Sequence, residues 1–201
     1  MQNVKPNYDR VNLVDDNDKI IGEADKFVAH SGEGLLHQAV SLFLFRKNSQ
    51  SSFELLIQKR SPQKIVGAKQ WANTLCGNVA VGENHRDCVL RRLKQELGLM
   101  LPPRLEKKIQ KLTIFSYQIP CNKRYSEREI DHLFGLFLTE EELATIKFQA
   151  NPQEVSGLVW RDWQELKEQR KILNKTFTPW FEIFINKQEV LQTIDQFLLT
   201  I

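Results

Sequence analysis

A short stretch of alternating hydrophobic and polar residues near the start of the chain predicts a β-hairpin. Residues 11–14 alternate as strand residues do, the acidic run 15–18 has turn composition, and residues 19–22 form the return strand. The acidic run lacks the glycine and the distal glutamate of a calcium-binding EF-hand loop at the required positions. We therefore interpret residues 10–22 as an N-terminal hairpin around a simple turn.

Longer apolar runs farther along the chain predict a sheet. Residues 38–45 are dense in valine, leucine and phenylalanine, which is typical of a strand buried on both faces. Further strands are predicted over residues 53–58, 112–119, 127–138 and 154–160. Gly32 and Gly34 argue against a long helix between the hairpin and this sheet, so we expect a loop there.

The clearest helix follows a glycine-punctuated segment in the middle of the chain. Its apolar stripe consists of Val89, Leu93 and Leu97. Asn84 has the character of an N-cap, and Gly98 that of the left-handed residue that ends a helix. Before the helix we expect the end of a strand and then a loop bracketed by Gly77 and Gly82.

The remainder of the chain predicts helices next to strands. Residues 101–103 interrupt the chain with two prolines, and residues 139–142 carry a capping signal for a helix or turn. Asp162 is the predicted cap of a helix over residues 163–170, which opens a C-terminal helical region over 162–201. Strands flanked by helices without strict alternation favour an α/β (α+β) sandwich. We expect one domain over residues 1–201, with its core at about 35–165.

The composition is that of an ordinary globular domain. Of the 201 residues, 41% are hydrophobic and 26% are charged, and the net charge is +3. The basic residues are scattered, which argues against a nucleic-acid surface, and no apolar run is long enough to span a membrane. The N-terminus lacks a signal-peptide core, and three cysteines do not form a disulfide framework. A cytoplasmic protein is expected.

Some residues carry candidate chemistry by their type and spacing. Glu127 and Glu129 lie two apart on a predicted strand and so project from one face, although a solvated edge strand would show the same pattern. His30 and His37 flank a glycine-containing loop and are candidate metal ligands, but histidines near a strand are often ordinary core or surface residues. Cys76 fits either a reactive thiol or a small buried side chain. These alternatives stay open on the residues alone.

A motif spans the segment before the helix and the helix itself. Gly77, Glu83 and Arg91, followed by Glu96-Leu97-Gly98, stand at the spacings of a Nudix box, and the segment resembles it. Two positions depart from the hydrolase form of the box, because Arg92 and Gln95 stand where hydrolases have glutamates. The degenerate box follows the residues Asn-Thr-Leu-Cys-Gly at 73–77, and this combination resembles the type I isopentenyl-diphosphate isomerases.

The resemblance implies a fold and an activity. The fold would be a Nudix α/β/α sandwich with a mixed central sheet, to which the N-terminal hairpin is added. The activity would be a metal-dependent interconversion of isopentenyl and dimethylallyl diphosphate. The partner would be a small prenyl diphosphate, with no nucleic acid or membrane, and the chain would be a monomer or a weak dimer.

The resemblance also implies metal ligands. The family positions correspond here to His30, His37, Glu127, Glu129 and, for a Mg²⁺ that bridges to the diphosphate, Glu96. Glu83 is a less direct helper. The family's third histidine is replaced by Asn78, so we expect weaker metal binding that is shifted toward Mg²⁺ or Mn²⁺. The implied cofactors are Mg²⁺ and a second divalent cation, which would be Mn²⁺, Zn²⁺ or Mg²⁺.

The catalytic and substrate-binding positions follow in the same way. The implied catalytic residues are Cys76, Glu129, Tyr117 and Trp180, and the implied diphosphate-binding residues are Lys26, Arg60 and Lys64. By the resemblance Glu129 delivers a proton, Cys76 removes another, and the tryptophan shields a carbocation. Two other functions remain in view. One is a Nudix-type diphosphate hydrolase, and the other is a binding protein that kept the fold and lost its chemistry through Asn78.

Overall fold

The computed structural model describes residues 6–168 and 176–201. In these residues the strands are β1 Asn7–Val14, β2 Ile20–Asp25, β3 His37–Lys47, β4 Phe53–Arg60, β5 Trp71–Ala72, β6 Leu75–Asn78, β7 Ala80–Val81, β8 Gln110–Pro120, β9 Ser126–Phe137 and β10 Val155–Asp162. The helices are α1 Lys26–His30, α2 His85–Leu97, α3 Pro103–Glu106, α4 Glu140–Ala144, α5 Trp163–Glu168, α6 Pro179–Asn186 and α7 Gln188–Leu199. None of the described helices is long and apolar enough to cross a membrane.

The described strands join into one mixed sheet with β3 at its centre. Strand β3 pairs antiparallel with β4 and β6 and parallel with β9, and β9 pairs antiparallel with β8. The hairpin of β1 and β2 extends the sheet on one side, and β10 pairs with β4 on the other. The parallel pairing of β3 with β9 determines which residues of the two strands lie side by side.

Helices cover both faces of this sheet, because the side chains of the central strand alternate between two cores. Val40, Leu42 and Leu44 of β3 pack with the fully buried apolar stripe of α2 on one face. Phe43 and Phe45 pack on the other face with residues of α5, α6 and α7. Burial of one such large apolar side chain contributes about 1.5–3 kcal/mol. The predicted α/β/α sandwich with a mixed sheet is confirmed.

The segment between the hairpin and β3 differs in detail from the prediction. The hairpin is longer than residues 10–22, and the chain leads directly from β2 into the five-residue helix α1. Asp25 caps this helix by accepting hydrogen bonds from the backbone N–H groups of Phe27 and Val28. His30 is therefore the last residue of a helix, and His37 is the first residue of β3. The sequence did not reveal this short helix, because the two glycines that follow it indicated a loop.

The predicted loop around Gly77 is wrong. Gly77 lies in strand β6, where it pairs with Val40 of β3. A Cβ atom on Gly77 would lie 2.7 Å from Nε of Arg92, so glycine is required here by a close approach and not by a turn. Gly82 does adopt a positive φ of 81°.

The ends of the predicted helices are confirmed where they are described. Asn84 accepts a hydrogen bond from the N–H of Asp87 and caps α2, and Gly98 ends it with φ 62°. Asp162 accepts from the N–H of Glu165 at the start of α5. Residues 169 and 170, the last of that predicted helix, lie outside the described part of the chain. Helix α3 was not predicted. It begins directly after Pro102, with a proline in its first turn, a position that proline tolerates.

Candidate active site

Four predicted metal ligands meet at one end of the β3–β9 pair. His37 of β3 stands in register with Glu129 of β9, and Glu127 projects from the same face two residues earlier. His30 arrives from the end of α1. Within the described residues, one ligand atom from each of these four side chains lies within 4.8 Å of the others. Strand β9 has a neighbour on each side, so the solvated-edge interpretation of the glutamates is wrong.

Backbone carbonyl groups orient both histidine rings. Nδ1 of His30 lies 2.5 Å from the carbonyl oxygen of Lys26, and Nδ1 of His37 lies 2.7 Å from that of Leu35. Because a carbonyl oxygen only accepts, each Nδ1 carries its hydrogen and each Nε2 is directed toward the carboxylates. This is the arrangement in which histidines bind metal ions in proteins.

The facing atoms of the cluster are only partly satisfied by one another. Nε2 of His37 is buried and has no hydrogen-bond partner among the described residues, whereas Oε2 of Glu127 faces the imidazole of His30. Nε2 of His37 lies 3.5 Å from Oε1 of Glu129, and Nε2 of His30 lies 3.0 Å from Oε2 of Glu127. A buried nitrogen left unsatisfied is costly, and a divalent cation would bind it together with the carboxylates. Two imidazole nitrogens with two carboxylates fit such a cation.

Charge within the cluster is balanced by proton uptake. Burial opposes a positive charge on His30, but the neighbouring carboxylates of Glu127 and Glu129 outweigh it and raise the pKa of His30 to about 9. Burial and the charge of Glu129 raise the pKa of Glu127 above its usual value. The residues thus hold excess negative charge that a proton compensates, and a metal cation would compensate it in the same way.

Asn78 faces this cluster, as its position in the motif predicts. It is the last residue of β6, and its Nδ2 lies 3.4 Å from Nε2 of His30. A histidine at this position would therefore bring a third imidazole to the four other side chains.

Tyr117 contacts the cluster from the neighbouring strand. It pairs with Glu129 across β8 and β9, and its hydroxyl donates a short hydrogen bond to Oε2 of that glutamate. Burial and the adjoining carboxylates raise the pKa of Tyr117 well above its usual value, so the phenol keeps its proton. The pKa of Glu129 is lowered, because the nearby imidazole of His37, the hydrogen bond from Tyr117 and the imidazole of His30 outweigh the effect of burial.

Cys76 lies on the sheet face that carries the cluster. It belongs to β6 and pairs with Ser41 of β3. Burial raises the pKa of its thiol to about 12, although the nearby Arg60 acts in the opposite direction. Nη1 of Arg60 lies 3.9 Å from the sulfur. The thiol is therefore neutral in this state.

Residues predicted to act in catalysis and in diphosphate binding line one cavity of about 460 Å³. Its lining includes the predicted catalytic residues Cys76, Tyr117, Glu129 and Trp180. It also includes the predicted diphosphate-binding residues Lys26, Arg60 and Lys64. Sequence reasoning missed Arg91 and Arg92, which line the same cavity from α2. The sequence showed Arg92 only as a departure from the hydrolase motif. That departure, a cation in place of a carboxylate, was the signal that could have identified Arg92 as a residue of the cavity.

The cationic residues of the cavity already have partners. The guanidinium carbon of Arg60 lies 5.0 Å from the centre of the Trp180 ring, which is cation–π distance. Nζ of Lys64 lies 2.6 Å from Oε2 of Glu154. Lys26 makes an exposed ion pair with Asp9 at 3.2 Å. An anionic ligand would thus compete with Glu154 for Lys64 and with Asp9 for Lys26.

Glu96 has a different environment from the other predicted ligands. Its Oε2 accepts a hydrogen bond of 2.6 Å from Gln58, and its Oε1 accepts one of 2.7 Å from Nε of Arg92. The side chain is buried and is not part of the cavity lining. Glu83 is similarly held by Arg91 at 2.6 Å. The surviving carboxylates of the box are therefore paired with its arginines.

Comparison with known proteins identifies relatives of this chain. The family model of the NUDIX domain matches residues 35–181. An isopentenyl-diphosphate Delta-isomerase of Serratia proteamaculans is 34% identical over 170 residues, which cover 84% of this chain and 85% of that protein. The Aliivibrio fischeri isomerase is 32% identical over 177 residues, or 87% of this chain and 92% of that protein. The chloroplastic isomerase I of Arabidopsis thaliana is 31% identical over 193 residues, and the match spans 63% of its length.

Solved structures agree on the fold. A Deinococcus radiodurans protein superposes with a TM-score of 0.65 at 21% identity, covering 88% of this chain and 96% of that one. A Nudix hydrolase from M. smegmatis superposes with a TM-score of 0.53 at 17% identity, covering 86% and 94%. From the family model, the relatives and the shared architecture, this chain belongs to the Nudix superfamily and, within it, to the isopentenyl-diphosphate Delta-isomerase family.

Proposed function

We propose that this chain is a metal-dependent isomerase that interconverts isopentenyl diphosphate and dimethylallyl diphosphate. One observation carries the proposal, which is that a single cavity is lined by a thiol, a carboxylate with a phenol donor, an indole and several cations. Each of these groups has a task in moving a double bond next to a diphosphate. The relatives named above as isopentenyl-diphosphate Delta-isomerases support the same reaction.

The reaction requires one acid and one base. A proton adds to the terminal alkene carbon of isopentenyl diphosphate and gives a tertiary carbocation. Loss of a proton from the carbon on its other side forms the new double bond, so that no atom is gained or lost overall. Positioned acid and base groups typically accelerate such steps by about 10²–10⁴-fold each.

Glu129 and Cys76 are the acid–base pair of the proposal. Glu129 exchanges a proton with the terminal carbon, held by the hydroxyl of Tyr117, and Cys76 exchanges one with the internal carbon. In the state described above the thiol is neutral and the pKa of Glu129 is lowered. That distribution is the end point of a forward turnover and the start of a reverse one. A forward turnover begins once the carboxyl of Glu129 has gained a proton and the thiol of Cys76 has lost its own to solvent, so that the number of protons on the pair is unchanged.

The remaining residues bind the substrate and shield the carbocation formed from it. Lys26, Arg60 and Lys64 neutralise the diphosphate, and Arg92 joins them from α2. The indole of Trp180 covers the hydrocarbon, stabilises the tertiary cation and excludes the water that would trap it. A divalent cation, bound by the histidine and glutamate cluster, would add a fixed positive charge near Glu129. We propose that the cofactors are Mg²⁺ and a second divalent ion, which would be Mn²⁺, Zn²⁺ or Mg²⁺. Glu96 remains a proposed metal ligand, but its ion pair with Arg92 must break before it can bind a metal.

The hydrolase alternative is not favoured. A diphosphate hydrolase of this superfamily uses several carboxylates of the box, and here Arg92 and Gln95 occupy two of those positions. The carboxylate that remains, Glu96, is paired with Arg92. The box of this chain is therefore suited to binding an anion more than to holding cations for hydrolysis.

Proton NMR of isopentenyl diphosphate in D₂O with purified protein and Mg²⁺ tests the proposal. The expected result is dimethylallyl diphosphate that carries deuterium in its new methyl group, since the added proton comes from solvent. Phosphate release, measured in the same sample, should stay at the background of a protein-free control. Release of phosphate without isomerisation would instead support a hydrolase, and no turnover with either Mg²⁺ or Mn²⁺ would support a binding protein.

A further inference from the structure

The four histidines of this chain form two pairs on opposite sides of the sheet. His30 and His37 belong to the cluster described above, and their ring centres lie 4.6 Å apart. The rings of His85 and His132 are stacked, with centres 3.6 Å apart and planes inclined by 20°. His132 follows Glu129 by three residues on β9 and so projects from the other face of the sheet. The second pair is therefore separate from the proposed active site.

A carboxylate from the hairpin turn completes the second cluster. Oδ2 of Asp18 lies 2.8 Å from Nε2 of His132, and Oδ1 of Asp18 accepts a hydrogen bond of 2.8 Å from Gln38. One ligand atom from each of Asp18, His85 and His132 lies within 4.8 Å of the others. The cluster thus joins three elements that are distant in sequence, namely the β1–β2 turn, the first residue of α2 and the middle of β9.

Two nitrogens in this cluster are buried without hydrogen bonds. Nδ1 of His132 and Nε2 of His85 have no partner among the described residues, and His132 as a whole is only 2% exposed. Burial lowers the pKa of both rings, to about 4 for His132, and the charge of Lys111 acts in the same direction. Neutral imidazoles with free lone pairs are the form of histidine that binds metal ions.

We propose that Asp18, His85 and His132 form a second divalent-cation site, with Zn²⁺ as the preferred ion. Two imidazole nitrogens and one carboxylate oxygen are a common zinc donor set, with water in the fourth position. Mg²⁺ prefers oxygen ligands and is disfavoured here. The bound ion would connect the hairpin turn to α2 and to the sheet.

Coordination requires a rearrangement of the described geometry. Zinc–ligand bonds of about 2.0–2.2 Å at tetrahedral angles place the ligand atoms about 3.3 Å apart. Asp18 and His132 are now closer than that, at 2.8 Å, and the ligand atoms of the cluster all lie within 4.8 Å of one another. Nε2 of His132 faces Asp18, so this nitrogen would bind the ion and its proton would move to the unpartnered Nδ1. The stacked ring of His85 must then tilt until its own lone pair points at the same ion. His85 is only partly buried at the start of α2, so its ring can tilt while His132 stays fixed in the sheet.

The number of bound Zn²⁺ ions tests the proposal directly. Metal-free protein would be dialysed against micromolar Zn²⁺ and its metal content measured. We expect His85→Ala to hold one ion fewer than the wild type, and His30→Ala to retain the ion of the second site. Equal metal contents of His85→Ala and wild type would overturn the proposal, whatever the outcome at the first site. Circular dichroism of the metal-free variant checks that the fold is kept.

Two further measurements distinguish loss of the second site from misfolding and from chance binding of Zn²⁺. One uses a conservative variant, and the other follows NMR signals of the proposed ligands. Asp18→Asn keeps the positive φ of 63°, which asparagine tolerates, and removes only the ligand charge. We expect it to weaken the Zn²⁺ affinity of the His30→Ala protein by about tenfold or more. In that protein, Zn²⁺ should also shift the imidazole NMR signals of His85 and His132. Binding that moves neither signal would mean an adventitious ion only and would reject the site.

Discussion

Nδ2 of Asn78 lies 3.4 Å from Nε2 of His30, so the substituted residue of the motif reaches the metal-type cluster. An amide can present either its oxygen or its nitrogen to a neighbour, and only the oxygen can bind a cation. A carbonyl-type oxygen is a harder donor than an imidazole nitrogen. We therefore expect the residue at this position to influence which ion the cluster prefers.

Asn78→His is expected to shift the cluster toward Zn²⁺. The new imidazole would stand beside His30 and raise Zn²⁺ affinity on the order of tenfold, or about 1.4 kcal/mol, with a smaller effect on Mg²⁺. Competitive metal titration of the wild type and the variant measures the change. Asn78→Ala is the matched control and should show no gain. A gain in the alanine variant would indicate relief of crowding and not a new ligand.

Cys76→Ala is expected to abolish most of the isomerase activity. Loss of one acid–base group should lower kcat by about 10²–10⁴-fold with little change in the melting temperature. Cys88→Ala is the control, because Cys88 is a buried core residue of α2 and does not line the cavity. It should lose some stability and keep its kcat within a few-fold. Full activity of the Cys76 variant would remove this thiol from the mechanism.

Glu154→Gln is expected to tighten the binding of inorganic diphosphate. Glu154 pairs with Lys64 at 2.6 Å and lies 3.7 Å from Nη2 of Arg92, so it competes with an anionic ligand for two cations of the cavity. Removing its charge should improve affinity about three- to tenfold, measured by calorimetric titration. Glu54→Gln breaks a comparable ion pair with Arg46 outside the cavity and should change nothing. Weaker binding in the Glu154 variant would show that this residue chiefly positions Lys64.

Gly77→Ala is expected to displace Arg92. The added methyl group would lie 2.7–2.9 Å from three side-chain atoms of Arg92, which must move. We expect a loss of about 1–2 kcal/mol in the free energy of unfolding and weaker diphosphate binding. Gly22→Ala is the control, since no atom of residues 6–168 or 176–201 lies within 4 Å of its added Cβ. The free energy of unfolding of this variant should change by less than about 0.5 kcal/mol. Equal effects of the two changes in denaturant titrations would refute the role given to Gly77.

Local patterns were sufficient for much of the secondary structure. The caps of α2 at Asn84 and Gly98 and the start of α5 at Asp162 are interactions within one turn of helix, so they can be recognised in the sequence. The buried strand β3 is apolar on both faces because helices cover both sides of the sheet. Gly77 shows the limit of such reasoning, because its glycine is required by Arg92, which is fifteen positions away in sequence.

Some site residues could be predicted from the sequence, whereas others were brought together only by the tertiary structure. Spacing alone placed Glu127 and Glu129 on one face of a strand, and the family resemblance connected them with His30, His37 and Cys76. No pattern in the chain predicted that His85 and His132 stack beside Asp18. That cluster depends on the packing of three distant elements.

By itself the sequence determined the fold class, the family and the chemical types at the site, because periodicity, capping and motif spacing are local properties of the chain. The tertiary structure decided which groups are partnered. It paired Glu96 with Arg92 and Lys64 with Glu154, and within the described part of the chain it left Nε2 of His37 without a hydrogen bond. Such pairings, and the charge each group carries, follow from burial and from contacts between distant segments, which only the folded chain brings together.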